Sequence, residues 1–280
     1  MINDIQNNLI KKESIFGPDN YKPLPVVLSR AKGVWAWDVN EKKYLDMMSG
    51  YSAVSHGHAH PELLRVFHEQ SSKLSLTSRA FYTDTLGPYL ETITKISGFE
   101  MCLPMNSGAE AVETAIKSSR RWAYRTKKVK PGKAEIIVAE GNLHGRTTTI
   151  ISFSTDENSR HDFGPHTPGF VTVKYGCAES LEAAINENTA AVLIEPIQGE
   201  AGIVVPPENY LPKVREICSK HNVLMILDEI QSGLGRTGKL FAYEHSNIQP
   251  DGLILGKALG GGFMPVSCFL TSKEVMQWMD

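Results

Sequence analysis

Short runs of consecutive apolar residues recur along the chain and are separated by amphipathic stretches. Seven of these runs have the length of a strand and are apolar almost throughout: MCLPM, EIIVA, FVTVK, AAVLIEP, VLMILDE, DGLILG and VSCFLT. Five other stretches repeat apolar residues with the spacing of a helix: 61–74, 85–96, 109–126, 179–186 and 211–221. Strands that are apolar on both faces and alternate with helices are typical of a parallel sheet covered on both sides. The pattern therefore predicts an α/β fold in which a mainly parallel sheet is sandwiched by helices.

The pattern near the start of the chain is different. In GVWAWDVNEKKYLDMMS, apolar residues alternate through Trp35 and Trp37 and resume after a short polar turn, which is typical of a β-hairpin. We therefore predict an N-terminal segment with a β-hairpin over residues 1–48 and a large domain over residues 49–280. The β-branched segment RTTTIISFST fits a helix or a strand, and its assignment stays open.

Polar residues follow four of the apolar runs. Asn106, Ser107, Gly108 and Ala109 follow MCLPM, whereas Glu195 follows AAVLI, Asp228 follows VLMIL and Lys257 follows LILG. In open α/β sheets, ligands bind beyond the carboxyl ends of the strands. The sequence therefore predicts that an amine, two carboxylates and a loop of small residues share one edge of the sheet.

Each of these features has a structural and a functional interpretation. Ser107 and Glu110 match a helix capping box, while Gly108 would let backbone N–H groups approach a phosphate, and the two interpretations are compatible. Asp228 is either a cap or the partner of a protonated ring nitrogen, and Lys257 is either a surface lysine or a Schiff-base lysine. Taken together, the functional interpretations match the phosphate, the ring nitrogen and the aldehyde of pyridoxal 5′-phosphate.

Composition narrows the class of protein. The chain has 280 residues, of which 41% are hydrophobic, and a formal net charge of -2, so no overall field favours nucleic acid or an anionic membrane. We see no apolar run of the roughly 18 residues that a membrane span needs, and no signal-peptide or transit-peptide pattern in the opening residues. The four cysteines are far apart, which argues against a disulfide framework or a cysteine zinc site, and the histidines of HGHAH have no acids or cysteines nearby. We expect a cytoplasmic protein with no bound metal.

Several longer segments resemble the class III pyridoxal-phosphate-dependent aminotransferases. The segments that carry the resemblance are LPMNSGAEAVETAIK, EPIQGEAGIVVPP, LDEIQSGLGRTG and GKALGGGFMPVS, and the likeness extends over nearly the whole chain. The resemblance implies the PLP-dependent transferase fold type I, which is aspartate aminotransferase-like, and a homodimer with a shared active site. Members of the family continue into a small C-terminal domain, so we expect that domain to be missing from this chain.

The resemblance also implies how the chain would bind the cofactor. Lys257 would form a Schiff base with pyridoxal 5′-phosphate and then act as a general base, Asp228 would pair with the ring nitrogen, and Gln231 would hydrogen-bond the phenolic oxygen. The residues expected at the phosphate are Ser107, Gly108 and Ala109. Leu143 stands where relatives usually have an aromatic residue stacked on the ring, so we expect an aliphatic contact there.

Four residues would bind the substrates by the same resemblance. Arg146 would bind a substrate carboxylate, as the bidentate geometry of a guanidinium suits, and Tyr21 and Tyr51 would line the pocket. Glu200 matches an acid that shields a second carboxylate-binding arginine, which is not found in this chain.

The segments YSAV and TSRAFY favour the branch of the family that acts on L-ornithine. The expected reaction moves the δ-amino group of L-ornithine to 2-oxoglutarate and gives L-glutamate 5-semialdehyde and L-glutamate. Two alternatives stay open: a related ω-aminotransferase acting on acetylornithine or 4-aminobutyrate, and a truncated chain that binds the cofactor or a partner chain without turnover.

Overall fold

The computed structural model describes residues 2–279, which form two units that divide after Thr77. The elements of the first unit are the helix α1 (Ile2–Phe16), the strands β1 (Leu28–Lys32), β2 (Trp35–Asp38) and β3 (Lys43–Leu45), a short turn of helix α2 (Ser49–Ser52) and the helix α3 (Pro61–Lys73). The three strands form an antiparallel sheet in the order β1-β2-β3. Strands β2 and β3 are the hairpin that the sequence predicts, and α3 is the helix predicted from residue 61.

A buried carboxylate fixes the hairpin. Asp38 is 3% exposed and accepts hydrogen bonds from the backbone N–H groups of Asn40 (2.8 Å) and Lys42 (2.9 Å) and from the hydroxyl of Tyr44 (2.8 Å). The sequence analysis missed α1, because almost every described side chain of that helix is exposed and no apolar face marks it.

The second unit contains one sheet of seven strands: β4 (Met101–Met105), β5 (Glu135–Ala139), β6 (Phe170–Val173), β7 (Thr189–Ile194), β8 (Leu224–Asp228), β9 (Gly252–Leu255) and β10 (Ser267–Thr271). The order across the sheet is β4-β10-β9-β8-β7-β5-β6. All seven strands coincide with the apolar runs predicted from the sequence. Strand β10 is antiparallel to both of its neighbours, while the other neighbouring pairs are parallel. The prediction of a mainly parallel sheet is therefore confirmed.

Helices cover both faces of this sheet. They are α4 (Leu86–Ser97), α5 (Gly108–Trp122), α6 (Thr148–Ile151), α7 (Glu157–Arg160), α8 (Ala178–Ala184), α9 (Tyr210–Lys220) and α10 (Lys273–Met276), with a π-helical turn at Ala123–Lys127 and 3-10 turns at Ala242–Ser246 and Lys257–Gly260. The four helices predicted in this part of the chain are confirmed as α4, α5, α8 and α9. The segment left open in the sequence analysis contains α6. Within residues 2–279, no helix combines the length and the apolar content needed to cross a bilayer.

Successive residues of one strand belong to different apolar clusters, which shows that both faces of the sheet are buried. Ile137 packs in the cluster that contains residues of α8 and α9, whereas Ile136 packs in the cluster that contains residues of α5. Because β7, β8 and β9 are parallel neighbours, the residues that follow them emerge at the same edge.

Candidate active site

The carboxyl edge of the sheet brings together the residues that the sequence predicted there. Glu195 directly follows β7, Asp228 is the last residue of β8, and Lys257 comes two residues after β9. Glu195 and Asp228 are 7% and 5% exposed, and the side chain of Lys257 is 24% exposed. An amine and two carboxylates thus share a desolvated edge.

Asp228 is held by a histidine that the sequence analysis did not single out. Its Oδ2 lies 2.7 Å from Nδ1 of His144, and its Oδ1 accepts a hydrogen bond from the backbone N–H of Ile230 at 3.0 Å. Since a carboxylate only accepts, Nδ1 of His144 is the donor. Burial alone would lower the pKa of His144, but the hydrogen bond and charge of Asp228, with the charge of Glu195, outweigh burial and raise it. The other ring nitrogen, Nε2, is buried without a hydrogen-bond partner.

Glu195 is the second buried carboxyl of the edge. Its Oε2 accepts a hydrogen bond from the backbone N–H of Leu143 at 3.2 Å. Burial raises the pKa of Glu195 to about 7, and the charge of Asp228 acts in the same direction. His144, the N–H of Leu143 and the amine of Lys257 oppose this rise. The carboxyl therefore changes its charge near neutral pH.

Lys257 opens the 3-10 turn that follows β9, with a φ of 45°, a left-handed conformation that is uncommon for a residue with a side chain. Its Nζ lies 3.9 Å from Oε1 of Glu200. Burial lowers the pKa of Lys257, and the charges of Glu200, Asp228 and Glu195 offset only part of this effect. The amine of Lys257 is thus closer to its neutral, nucleophilic form than the amine of an exposed lysine.

Glu200 also connects Lys257 to Gln231. The Nε2 of Gln231 donates to Oε1 of Glu200 at 3.2 Å, which is the same oxygen that faces Lys257. Gly199 makes this arrangement possible, because a Cβ at that position would lie 1.9 Å from Oε1 of Gln231.

The N-terminus of α5 forms the small-residue loop of the edge. Ser107 accepts from the N–H of Glu110 at 3.3 Å and donates its own N–H to the Glu110 carboxylate at 2.7 Å, so the capping box is present. A Cβ on Gly108 would lie 2.7 Å from Cδ1 of Ile230, so glycine lets the helix terminus pack against Ile230, just after β8, without displacing that side chain. The capping box uses the N–H of Glu110, and the first-turn N–H groups of Gly108 and Ala109, which precede it, suit a phosphate.

The loop after β5 carries two further predicted residues. Leu143 is 37% exposed, and Arg146 is also exposed and lies on the same loop as His144. Gly145 packs this loop against the start of α5, since a Cβ there would lie 2.9 Å from Cβ of Ala109. The loop is thus fixed between Glu195 and the helix terminus.

Tyr21 and Tyr51 belong to the first unit, where they are 60% and 43% exposed. Their role in substrate binding stays a prediction, as do the roles of the other site residues.

The sequence does contain a signal for His144. Ligands of open α/β sheets bind beyond the carboxyl ends of the strands (the strand-end rule), and His144 follows β5 in the parallel part of the sheet. In the described part of the chain, no three His, Cys, Asp or Glu side chains are grouped as metal ligands.

The sheet, with the acid and the lysine at its edge, defines the aspartate aminotransferase-like fold, fold type I, that the sequence predicts. Residues 16–280 match the aminotransferase class-III family, and the chain belongs to that family.

Two relatives with similar sequences are ornithine aminotransferases. The chain is 54% identical over 270 residues to an ornithine aminotransferase from Brevibacillus brevis, covering 96% of this chain and 68% of that protein. It is 54% identical over 268 residues to ornithine aminotransferase 2 from Staphylococcus aureus, with the same coverage of each.

Two solved structures show the same fold. The ornithine aminotransferase from Toxoplasma gondii, a structure with partial occupancy of PLP at the active site, superimposes with a TM-score of 0.97 at 41% identity, covering 98% of this chain and 65% of that chain. The acetylornithine aminotransferase from Elizabethkingia anophelis gives a TM-score of 0.87 at 47% identity, covering 98% and 66%. The chain thus spans about two thirds of the length of these relatives.

Proposed function

We propose that this chain is the cofactor-binding part of an ornithine aminotransferase. The enzyme would transfer the δ-amino group of L-ornithine to 2-oxoglutarate and give L-glutamate 5-semialdehyde and L-glutamate. The observation that carries the proposal is the half-buried Lys257, whose pKa is lowered by burial, at the same edge as the buried Asp228. The choice of L-ornithine is supported by the 54% identity to relatives named ornithine aminotransferase.

The residues at the edge fit pyridoxal 5′-phosphate. The first turn of α5 offers N–H groups for the phosphate, and Asp228 offers a carboxylate for the ring nitrogen that two hydrogen bonds already orient. Lys257 would bind the aldehyde, Gln231 the phenolic oxygen, and Leu143 would contact a ring face. When bound, this cofactor supplies an electron sink for the carbon that carries the amine.

The protein's own groups would move the proton. The amine of Lys257, which burial brings closer to its neutral form, would accept a proton from the carbon that carries the substrate amine. Oε1 of Glu200 lies 3.9 Å from this amine and is its nearby opposite charge. Asp228, fixed by His144, would keep the ring nitrogen protonated, so the negative charge that develops at the reacting carbon is stabilised. Arg146 would orient a substrate carboxylate, Tyr21 would line the pocket, and Tyr51 would line it and favour the δ-amine over the α-amine.

A second candidate substrate is N-acetylornithine. The observation that favours it is the 47% identity to the acetylornithine aminotransferase from Elizabethkingia anophelis, which exceeds the 41% identity to the Toxoplasma gondii enzyme. Competition between L-ornithine and N-acetylornithine decides between the two.

The test is a visible absorption spectrum of the purified chain with pyridoxal 5′-phosphate, before and after addition of L-ornithine, with the product trapped by o-aminobenzaldehyde. We expect a band of covalently attached cofactor that L-ornithine removes, together with trapped pyrroline-5-carboxylate. Lys257→Ala should abolish the band and turnover, whereas Lys213→Ala, which changes an exposed lysine paired with Glu179, should keep both. Near-normal turnover in Lys257→Ala would contradict the proposal.

We further propose a homodimer with a shared active site, in the cytoplasm. The proposal of a reducing compartment is supported by the four cysteines, all of which are free. Analytical ultracentrifugation of the chain with cofactor tests the dimer, and a monomer at every concentration with full turnover would contradict a shared site.

A further inference from the structure

Glu195 is a buried carboxyl at the candidate active site that the proposed reaction does not use. It is 7% exposed and lies at the end of β7, next to the strand that ends in Asp228. A buried carboxyl with no role is costly, because burial disfavours its charge. Its contacts therefore indicate what it does.

The first contact is a hydrogen bond to the cofactor-facing loop. Oε2 of Glu195 accepts from the backbone N–H of Leu143 at 3.2 Å, although the two residues lie 52 positions apart in the chain. Leu143 stands at the position expected to contact the cofactor ring, and His144, the next residue, binds Asp228. Glu195 thus connects the loop to the sheet next to two residues that matter for the cofactor: Leu143, which would contact the ring, and His144, which orients Asp228.

The second relation is electrostatic, and it involves ionisable groups that follow or end four strands of the sheet. The ionisable groups that face Glu195 are His144 after β5, Tyr175 after β6, Asp228 at the end of β8 and Lys257 after β9. Burial and Asp228 favour the neutral carboxyl, whereas His144 and Lys257 favour the ionised one. Tyr175 instead fixes the main chain, since its hydroxyl donates to the carbonyl oxygen of Glu195 at 3.0 Å.

The effect is reciprocal. The charge of Glu195 raises the pKa of His144, and His144 lowers the pKa of Glu195. A second negative charge beside Asp228 therefore favours the protonated form of His144, which keeps the imidazole hydrogen-bonded to Asp228.

We propose that Glu195 is a positioning residue for the cofactor, which fixes the Leu143–His144 segment through the Leu143 N–H and couples its own ionisation to that of His144. This inference deepens the proposed function and rests on it for the identity of the cofactor. The coupling itself concerns only residues of this chain, so it is measurable without cofactor.

The experiment is an NMR titration of the cofactor-free chain labelled with 15N-leucine and 13C,15N-histidine, from pH 5.5 to pH 8.5. In the wild type, the amide proton of Leu143 should shift with a midpoint near pH 7, because the charge of its acceptor changes there. In Glu195→Gln, which keeps the shape and an acceptor oxygen, this step should disappear. The pKa of His144 should then fall by about half a unit or more.

Glu229→Gln is the matched control. Glu229 is also buried, its pKa is also raised to about 7, and it lies directly beside Asp228 in the chain. Its carboxylate, however, accepts from the N–H groups of Ala242 and Tyr243 and not from the loop after β5. This variant should leave the titrations of Leu143 and His144 unchanged.

Two results would overturn the proposal: a Leu143 amide that does not titrate near neutral pH in the wild type, or a His144 pKa that is the same in Glu195→Gln and the wild type. The wild-type titration needs no variant, so a folding defect in Glu195→Gln does not prevent a decision. If the chain fails to attach pyridoxal 5′-phosphate at Lys257, the proposed function fails, while these titrations still judge the coupling.

Discussion

At the scale of single residues, the candidate site contains a glycine whose replacement would move a neighbouring side chain. Gly199 has this property, because a Cβ there would lie 1.9 Å from Oε1 of Gln231. Any larger residue must displace Gln231, whose Nε2 donates to Glu200. The glycine thus preserves a contact on which the geometry around Lys257 depends.

We expect Gly199→Ala to weaken the binding of pyridoxal 5′-phosphate about tenfold, since the loss of one hydrogen bond to a charged group corresponds to at least ~1.4 kcal/mol. The dissociation constant from a fluorescence titration measures this. Gly87→Ala is the control, because Gly87 in α4 has open space around it and should bind the cofactor as the wild type does. Equal affinity in the two variants would show that Gln231 does not depend on Gly199.

Asp228 is the second residue whose substitution is informative. Asp228→Asn keeps an oxygen for the Nδ1–H of His144 but removes the charge proposed to hold the ring nitrogen protonated. We expect the cofactor to stay bound and turnover of L-ornithine to slow by about 10² or more, because a preorganised charge is lost. Steady-state kinetics with δ-deuterated L-ornithine measures this, and the isotope effect on kcat should rise as proton transfer becomes rate-limiting. An unchanged kcat would remove Asp228 from the mechanism.

At the scale of elements, a buried carboxylate connects β8 to the 3-10 turn at Ala242–Ser246. Glu229, 1% exposed, accepts from the backbone N–H of Ala242 at 2.7 Å and of Tyr243 at 2.8 Å. These are first-turn donors that the turn itself does not satisfy. The chain between Glu229 and this turn contains the glycine-rich GLGRTG segment, so the carboxylate connects the two ends of that loop.

We expect Glu229→Ala to lower the free energy of unfolding by about 2 kcal/mol or more, because two buried N–H groups lose their acceptor. Urea denaturation at pH 7.5, where the carboxyl is mostly ionised, measures the loss. Glu187→Ala, at an exposed position, should change the midpoint little. A Glu229→Ala protein as stable as Glu187→Ala would mean that water replaces the carboxylate without cost.

The sequence predicted the positions of helices and strands better than the directions of the strands or the pairs of side chains that meet in the fold. The strands of the second unit were evident because burial on both faces leaves a continuous apolar run, but β10, equally buried, gave no sign that it is antiparallel. At the site, the strand-end rule placed Lys257, Asp228 and Glu195 at one edge. His144 follows β5 but was not singled out, and its pairing with Asp228, 84 positions away, is set by the order of the strands. Only the folded chain shows such a pairing.

At the scale of the whole molecule, a net charge of -2 gives no hint that three buried groups have raised pKa values. Burial raises the pKa of Glu195 and of Glu229 from the usual 4.5 to about 7, and the hydrogen bond and charge of Asp228 raise the pKa of His144. All three belong to the second unit. Their shifts have the same sign, so their effects on stability add.

The stability of the second unit should therefore fall as the pH rises from 5.5 to 8. Between pH 5.5 and pH 7 the folded state holds protons on Glu195 and Glu229 that the unfolded chain has already lost, so raising the pH favours unfolding, by about 2 kcal/mol for each carboxyl over this range. Carboxylic acids with a lowered pKa, such as Glu182, act in the opposite direction, but only near and below pH 4.5, the usual pKa of the group.

Urea denaturation of the cofactor-free chain at several pH values, followed by tryptophan fluorescence, measures how the free energy of unfolding changes with pH. With Trp35 and Trp37 replaced by phenylalanine, the remaining tryptophans report on the second unit alone. The double variant Glu195→Gln/Glu229→Gln should show a much smaller fall over the same range, whatever its absolute stability. An equal fall in both proteins would show that these carboxyls are already ionised in the folded state.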